Sequence, residues 1–140
     1  MKTYRAALVG TGSISEAHVR AVEATQGRVT LEAAVDIDGA RVADFAVKHH
    51  IPRHFTDYHQ MLRDVRPDFV LVATPPSQHC PMSVAAMEAG AWVLCEKPLF
   101  TDPADAPRLR ALRAAYPAPI WVAMEYRYMP PVAHLLREAQ

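Results

Sequence analysis

The sequence predicts an α/β domain built on a doubly wound, six-stranded parallel sheet. Short apolar runs typical of strands alternate with runs of helical periodicity along the whole chain. Two strand-like runs, 68–73 and 91–95, are apolar almost throughout, as expected when helices cover both faces of a sheet. A glycine-rich turn follows the first run. Right-handed crossovers between parallel strands then favour the spatial order 3-2-1-4-5-6.

The length and composition fit one ordinary domain. The chain has 140 residues, 51% of them hydrophobic, and its 15 Lys and Arg balance 15 Asp and Glu. This neutral charge gives no electrostatic reason to expect a nucleic-acid partner. No apolar run is long enough for a membrane span or a signal-peptide core, and two cysteines cannot form a disulfide framework. We therefore expect a cytoplasmic protein with reduced thiols and no membrane partner.

The first apolar run predicts a strand that leads into a helix. Residues 4–9 are mostly apolar and end at a glycine, which predicts a strand closed by a turn. Apolar side chains then recur at helical spacing over 13–25 and predict the first helix. Ser13, with Glu16 three residues later, matches a capping box, so Ser13 is expected to cap this helix.

The following segments repeat the alternation. The apolar run 30–35 predicts a second strand, and a helix is predicted over 39–50 because its apolar residues share one face. Asp38 is well placed to cap that helix. A proline ends this region, after which a short third strand is predicted at 53–56 and a short helix at 58–65.

The second half of the chain contains the most apolar strands. The runs 68–73 and 91–95 predict two buried strands, with a helix over 77–89 between them that Gly90 can close. A helix over 102–116 and a sixth strand over 119–124 follow. A further helix is predicted to begin in 130–140.

The turn after the first strand has the pattern G-x-G-x-x-S. Gly10 permits a tight turn, and Gly12 lets the backbone approach a pyrophosphate because it has no side chain. Ser15 replaces the usual third glycine or alanine and is small enough for close helix–strand packing. Free amides and the helix dipole here favour a phosphate charge. The candidate cofactor-binding residues of the turn are Gly10, Thr11, Gly12, Ser13 and Ile14.

Asp36 strengthens the dinucleotide-binding interpretation. It follows the second strand, roughly 20 residues after the glycines, where the fingerprint has its acidic residue. Its carboxylate can accept both hydroxyls of the adenosine ribose and would repel a 2′-phosphate, so NAD is favoured over NADP. Arg41 is the counter-argument, because its side chain could turn toward such a phosphate. A capping role is the structural alternative for Asp36, and Ile37 joins the candidate cofactor-binding residues.

Three further segments each follow a predicted strand. They are Ala73-Thr74-Pro75-Pro76-Ser77-Gln78-His79, Cys95-Glu96-Lys97-Pro98-Leu99 and Tyr126-Arg127-Tyr128-Met129-Pro130. With Gly10-Thr11-Gly12 and Ala17-His18, their order and spacing resemble the N-terminal domain of the Gfo/Idh/MocA oxidoreductase family over essentially the whole chain. This resemblance implies a Rossmann fold, a nicotinamide cofactor and an oxidoreductase reaction.

All three segments leave strands at their carboxyl ends, so they should converge on one crevice. Thr74, Pro75 and Pro76 are expected to form a stiff ledge beside the central ribose of the cofactor, because proline fixes φ. His79 opens the next helix and could reach the ribose or the nicotinamide, with a solvent-facing histidine as the alternative. Arg127 is expected to reach the cofactor or substrate side of the crevice.

Glu96 and Lys97 leave a buried strand, where charges are costly unless they are used or paired. The resemblance implies that Lys97 lies near the substrate carbon that exchanges hydride, which makes it the candidate catalytic residue. Its ammonium could hydrogen-bond the reacting hydroxyl and stabilise oxyanion character. Glu96 would bind the ribose or orient Lys97, with a structural ion pair as the alternative. The tight turn also predicts a cis Lys97–Pro98 bond.

No metal site is predicted. Four histidines cluster in sequence without a cysteine or acidic residue that would complete a site. They are His49, His50, His54 and His59. We interpret Cys80 and Cys95 as packing residues.

The resemblance also predicts a division of the chain. Residues 1–125 would be the dinucleotide-binding domain, and 126–140 would begin the connection to a second domain that is absent from this chain. The chain would then be either an excised nucleotide-binding domain or a naturally short relative. In the family that second domain supplies an Asp and a His for catalysis, so we expect cofactor binding with little or no turnover. The apolar residues of the last predicted helix lead us to expect a homo-oligomer.

The sequence thus favours the nucleotide-binding half of an NAD-dependent oxidoreductase. It would transfer hydride between nicotinamide and a small sugar- or polyol-like substrate. A non-catalytic NAD(P)-binding sensor or assembly module is an alternative that would keep Gly10, Gly12 and Asp36 without needing Lys97. A methyltransferase also places a glycine-rich turn before an acidic strand end, although Glu-Lys-Pro after the fifth strand argues against it.

Overall fold

One parallel sheet organises the chain. The structure is a computed structural model that describes residues 2–116, 119–124 and 137–138. Its strands within that part are β1 (Tyr4–Val9), β2 (Val29–Val35), β3 (Arg53–Phe55), β4 (Phe69–Val72), β5 (Trp92–Cys95) and β6 (Ile120–Val122). They lie in the order β3-β2-β1-β4-β5-β6, and every neighbouring pair is parallel. The predicted six-stranded order is confirmed.

Helices connect the strands and cover both faces of the sheet. They are α1 (Ser15–Glu23), α2 (Gly39–Lys48), α3 (Tyr58–Val65), α4 (His79–Glu88), which a 3₁₀ turn at Pro76–Gln78 precedes, and α5 (Asp105–Ala115). In β4, Leu71 belongs to the core shared with α1 and α2, whereas Val70 and Val72 belong to the core shared with α3 and α4. This two-sided burial explains why the central strands are apolar throughout.

The strands end level with one another at the edge that carries the site. Val9 of β1 is paired in register with Val35 of β2 and with Val72 of β4. Val72 is in turn paired with Cys95 of β5. The segments that follow these four strands therefore leave the sheet side by side, which is the usual ligand-binding edge of a doubly wound sheet.

The predicted capping box at Ser13 is wrong. The first helix begins at Ser15 after Ile14, which makes no side-chain cap. The buried Ser15 hydroxyl instead donates to the Gly12 carbonyl, and Glu16 accepts from Lys48 Nζ at 2.7 Å. Glu16 therefore ties α1 to α2, because its carboxylate faces a neighbouring helix rather than its own first turn.

Two other local predictions are confirmed. The Asp38 carboxylate caps α2 by accepting from the Arg41 backbone N–H at 3.0 Å, and the Lys97–Pro98 bond is cis. The fifth helix begins at Asp105 rather than at 102. Arg127 and most of the helix predicted at 130–140 lie outside the described residues. No helix in the described part is long and apolar enough to cross a membrane.

Candidate functional site

A cleft of about 780 Å³ opens where β1, β2, β3 and β4 end. Eight of the candidate cofactor-binding residues line it. They are Gly10, Gly12, Ser13, Ile14, Asp36, Ile37, Thr74 and Pro75. The cleft arises because parallel strands end at the same edge while their connections leave toward opposite faces.

The two glycines of the first turn play different structural roles. Gly10 has a φ of +89°, and a Cβ atom there would lie 2.5 Å from the carbonyl oxygen of Ala73. The turn therefore presses against the segment that follows β4, which a side chain would prevent. A Cβ at Gly12 would meet no atom within 4 Å. The backbone at Gly12 thus faces open space in the cleft, beside the start of α1, where a phosphate group would be favoured.

Asp36 is tied directly to the glycine turn. Its Oδ2 atom accepts from the Thr11 backbone N–H at 2.9 Å and from the Thr11 hydroxyl at 2.8 Å. Its Oδ1 atom accepts from the Asp38 backbone N–H at 3.1 Å and from Arg41 Nη2 at 2.6 Å. Burial alone would raise the pKa of Asp36, but the hydrogen bonds from Arg41, Thr11 and Asp38 outweigh it and hold that pKa well below its ordinary range.

Arg41 covers the Asp36 carboxylate. The buried Asp36 carboxylate already accepts five hydrogen bonds, two of them from the guanidinium of Arg41. A carboxylate has about four lone-pair sites, so a ribose diol would have to displace Arg41, whose side chain is 51% exposed. The sequence suggested Arg41 as a phosphate partner and did not predict that it covers Asp36.

The segment after β4 forms the far wall of the cleft. Thr74 and Pro75 line it, whereas Pro76 does not. The hydroxyl of Thr74 is buried and has no hydrogen-bond partner among the described residues. An unpaired polar atom of this kind is costly unless a ligand or water completes it. The Thr74 hydroxyl would have to turn toward the cleft to bind a polar group there.

His79 lies behind this wall rather than in the cleft. Its side chain is 1% exposed, and its Nδ1 and Nε2 atoms lie 2.6 Å from the carbonyl oxygens of Pro98 and Thr74, respectively. The expectation that His79 faces a ligand, or solvent, is not met, because its buried ring lies between backbone carbonyls of the segments after β4 and β5. Its effect on the site is to hold the backbone at Thr74 and Pro98.

Glu96 and Lys97 follow β5, just beyond the residues that line the cleft. Glu96 is largely buried, and its Oε1 lies 2.9 Å from Nε2 of His18 on α1. Lys97 is exposed, and within the described residues it forms no ion pair with Glu96 or with any other acid. The sequence points to both charges but assigns no role to His18.

Several lining residues were missed. They are Thr56 and Tyr58 after β3, Ser77 and Gln78 after the two prolines, and Met82 on α4. The position of Thr56, Tyr58, Ser77 and Gln78 just after strands was a usable signal. Met82 had none, because only the packing of α4 brings it to the cleft. The Tyr58 hydroxyl donates to the Met82 carbonyl at 2.7 Å, and burial raises the pKa of Tyr58.

Comparison with known proteins identifies the family. Residues 4–124 match the Gfo/Idh/MocA model, described as an oxidoreductase family with an NAD-binding Rossmann fold. The chain belongs to this family. The inositol 2-dehydrogenase of Salmonella typhimurium is 32% identical over 108 residues, which are 76% of this chain and 32% of that relative. The chain thus spans about a third of the length of this Gfo/Idh/MocA relative.

Solved structures of similar proteins contain the cofactor. GenD2 from gentamicin A biosynthesis, in complex with NAD, is 29% identical with a TM-score of 0.90, and the match covers 99% of this chain and 39% of that one. The WlbA dehydrogenase from Bordetella pertussis, in complex with NADH and UDP-GlcNAcA, is 25% identical with a TM-score of 0.91, over 99% and 42% of the two chains.

The described residues of this Gfo/Idh/MocA chain fit a dinucleotide. Gly12 leaves space for a close approach to the backbone, and the unpaired hydroxyl of Thr74 offers a polar contact on the opposite wall. Asp36 provides a charged acceptor at the far end of the same cleft. Phosphate, central ribose and adenosine ribose therefore each have a chemically suitable partner.

Proposed function

We propose that this chain is the nucleotide-binding domain, over residues 1–125, of an NAD-dependent oxidoreductase that acts on a sugar- or polyol-like substrate. The observation that carries the proposal is the double hydrogen bond from Thr11 to Asp36. It makes the phosphate-binding turn and the ribose acceptor one rigid unit. The inositol 2-dehydrogenase relative supports a polyol as the substrate class.

The cleft suggests a direction for the cofactor. The adenosine would lie over the ends of β2 and β3, beside Asp36 and Ile37, with the pyrophosphate at Gly12. The nicotinamide half would then pass Thr74 toward the end of β5, because β4 and β5 lie on the other side of β1. When bound, NAD would supply a hydride acceptor. With its amine unprotonated, the exposed Lys97 side chain would hydrogen-bond the substrate hydroxyl and accept its proton.

The charge at Asp36 supports NAD over NADP. Its lowered pKa keeps the carboxylate ionised at neutral pH, so it would repel a 2′-phosphate while accepting ribose hydroxyls. Arg41 opposes this preference, since its guanidinium could leave Asp36 and pair with the phosphate. The balance between these two side chains would set the cofactor preference.

Calorimetric titration with NAD and NADP tests the proposal. The wild-type chain should bind NAD more tightly. Asp36→Ala should weaken NAD binding about 10- to 100-fold, which is the loss expected for hydrogen bonds to a charged group. It should also reduce the preference for NAD over NADP. Asp44→Ala, which changes an exposed aspartate on the same helix α2, is the matched control. Equal affinities of the wild-type chain for NAD and NADP would refute the ribose argument.

A non-catalytic NAD-binding module is the second candidate, and the solvent exposure of Lys97 favours it. Such a module would bind NAD equally well with Lys97→Ala, and so would the enzyme. In a longer chain that carries the second domain, only the enzyme would form NADH with a polyol, and Lys97→Ala would abolish that formation. Absorbance at the NADH band, with myo-inositol as the first substrate, separates the two. Association into a homo-oligomer is a further proposal, which sedimentation would test.

A further inference from the structure

His18 makes a long-range contact that the proposed reaction has not used. It lies on α1 and is 7% exposed, and its Nε2 is 2.9 Å from Oε1 of Glu96, 78 residues later in the chain. The Glu96 side chain is itself only 15% exposed. A carboxylate so far from water needs a hydrogen-bond donor. Within the described part of the chain, His18 is the partner that supplies it.

This contact lies at the end of the site assigned to the nicotinamide half of the cofactor. The Glu96 backbone N–H donates to the Val72 carbonyl at 2.9 Å, which continues the pairing of β5 with β4. Glu96 is therefore next to the segment that enters the cleft at Thr74. The contact also starts from α1, whose first turn borders the phosphate position at Gly12.

The backbone around Glu96 is held by other bonds. On one side, the Val72 carbonyl accepts the Glu96 N–H at 2.9 Å. On the other side, the Pro98 carbonyl lies 2.6 Å from Nδ1 of His79. Loss of the His18 imidazole should therefore leave the course of the chain unchanged and release only the side chain of Glu96.

We propose that His18 is a positioning residue that holds Oε1 of Glu96 so that Oε2 faces the nicotinamide-side ribose of the cofactor. Nε2 carries the proton in this contact, because a carboxylate only accepts. One carboxylate oxygen is thus fixed by α1, and the other is left for the ribose hydroxyls. This inference rests on the proposed function, since it assigns part of the same NAD site.

Two ligands, NADH and ADP, separate positioning from general folding. Both contain adenosine and a diphosphate, but ADP lacks the second ribose and the nicotinamide. In calorimetry, His18→Ala should weaken NADH binding roughly 10-fold, as expected for loss of a well-placed charged acceptor. The affinity for ADP should stay within about twofold of the wild-type value. His18→Gln, whose amide N–H can replace Nε2, should restore most of the NADH affinity.

His49→Ala is the matched control. His49 Nε2 also contacts a glutamate of α1, Glu16, at 3.2 Å, but away from the turn at Glu96. Its replacement should change neither NADH nor ADP binding. If His18→Ala weakens NADH and ADP binding equally, or leaves NADH binding unchanged, the positioning role is refuted. If the wild-type chain binds neither ligand, the proposed function itself fails, which is a distinct result.

The Glu96→Ala background keeps the test decisive even when His18→Ala does not fold alone. Without the Glu96 carboxylate, the loss of His18 leaves no buried charge unpaired. Glu96→Ala should reproduce the selective loss of NADH, and adding His18→Ala should change NADH affinity by less than about twofold, because the two residues act as one unit. A further loss in the double variant would show that His18 acts elsewhere.

Discussion

Replacing Gly10 by alanine should lower the free energy of unfolding of the domain. The same change at Gly12 should leave the free energy of unfolding nearly unchanged and weaken cofactor binding. At Gly10 the new Cβ would lie 2.5 Å from the Ala73 oxygen and 2.9 Å from the Thr74 nitrogen. Both are backbone atoms at the end of β4, so a side-chain rotation cannot relieve the contact. At Gly12 the new methyl would enter open space.

The expected magnitudes differ by several kcal/mol. An L-residue with the φ of Gly10, +89°, loses roughly 1–2 kcal/mol. Forcing the backbone apart adds about 1–3 kcal/mol. Gly10→Ala should therefore lower the free energy of unfolding by about 2–5 kcal/mol and the Tm by on the order of 10 °C. Gly12→Ala should change stability by no more than about 0.5 kcal/mol.

Thermal unfolding by circular dichroism and NAD titration by calorimetry measure the two effects. Gly27→Ala is a useful control, since Gly27 also has a positive φ, +82°, but no atom within 4 Å of the added Cβ. Gly27→Ala should lower the free energy of unfolding by roughly 1–2 kcal/mol, because only the cost of the positive φ applies and no atom is contacted. For Gly12→Ala we expect at least a roughly tenfold loss of NAD affinity. Equal destabilisation by Gly10→Ala and Gly12→Ala, or normal NAD binding by Gly12→Ala, would refute the reasoning.

Three further predictions concern Asp36, Asp38 and Cys95. Asp36→Asn should destabilise the domain at neutral pH, and its effect should shrink as the pH falls below the ordinary carboxyl value of 3.8. The reason is that a carboxyl with a lowered pKa in the folded chain stabilises the fold above that value, and this stabilisation decreases as the pH falls below it. Urea unfolding at pH 7 and pH 3 measures the free energy of unfolding of both chains. The same difference between wild type and Asp36→Asn at the two pH values would contradict the prediction. Asp38→Ala removes the cap of α2 and should lower stability by about 1 kcal/mol in the same assay, with Asp44→Ala as the unchanged control. Cys95 is fully buried, and burial raises its pKa to about 11, so iodoacetamide should modify it only after unfolding; labelling of the folded chain, detected by mass spectrometry, would contradict this.

Patterns that repeat over a few residues predicted most of the fold. The order of the strands followed from the alternation of apolar and amphipathic runs, and the cap at Asp38 and the cis Lys97–Pro98 bond followed from neighbouring residues. The cap expected at Ser13 failed, because α1 begins at Ser15 and Ile14 stands at its N-cap position. The residue at which α1 begins depends on packing that local patterns do not contain.

The sequence by itself determined the topology and the residue types at the carboxyl edge of the sheet. Backbone periodicity and glycine geometry act over a few residues, so they are visible without the fold. Only the tertiary structure decided how these side chains are used. It placed Arg41 on Asp36, turned His79 away from the cleft and joined His18 to Glu96. Such contacts depend on rotamers and on elements far apart in sequence, which meet only when the sheet and its helices pack together.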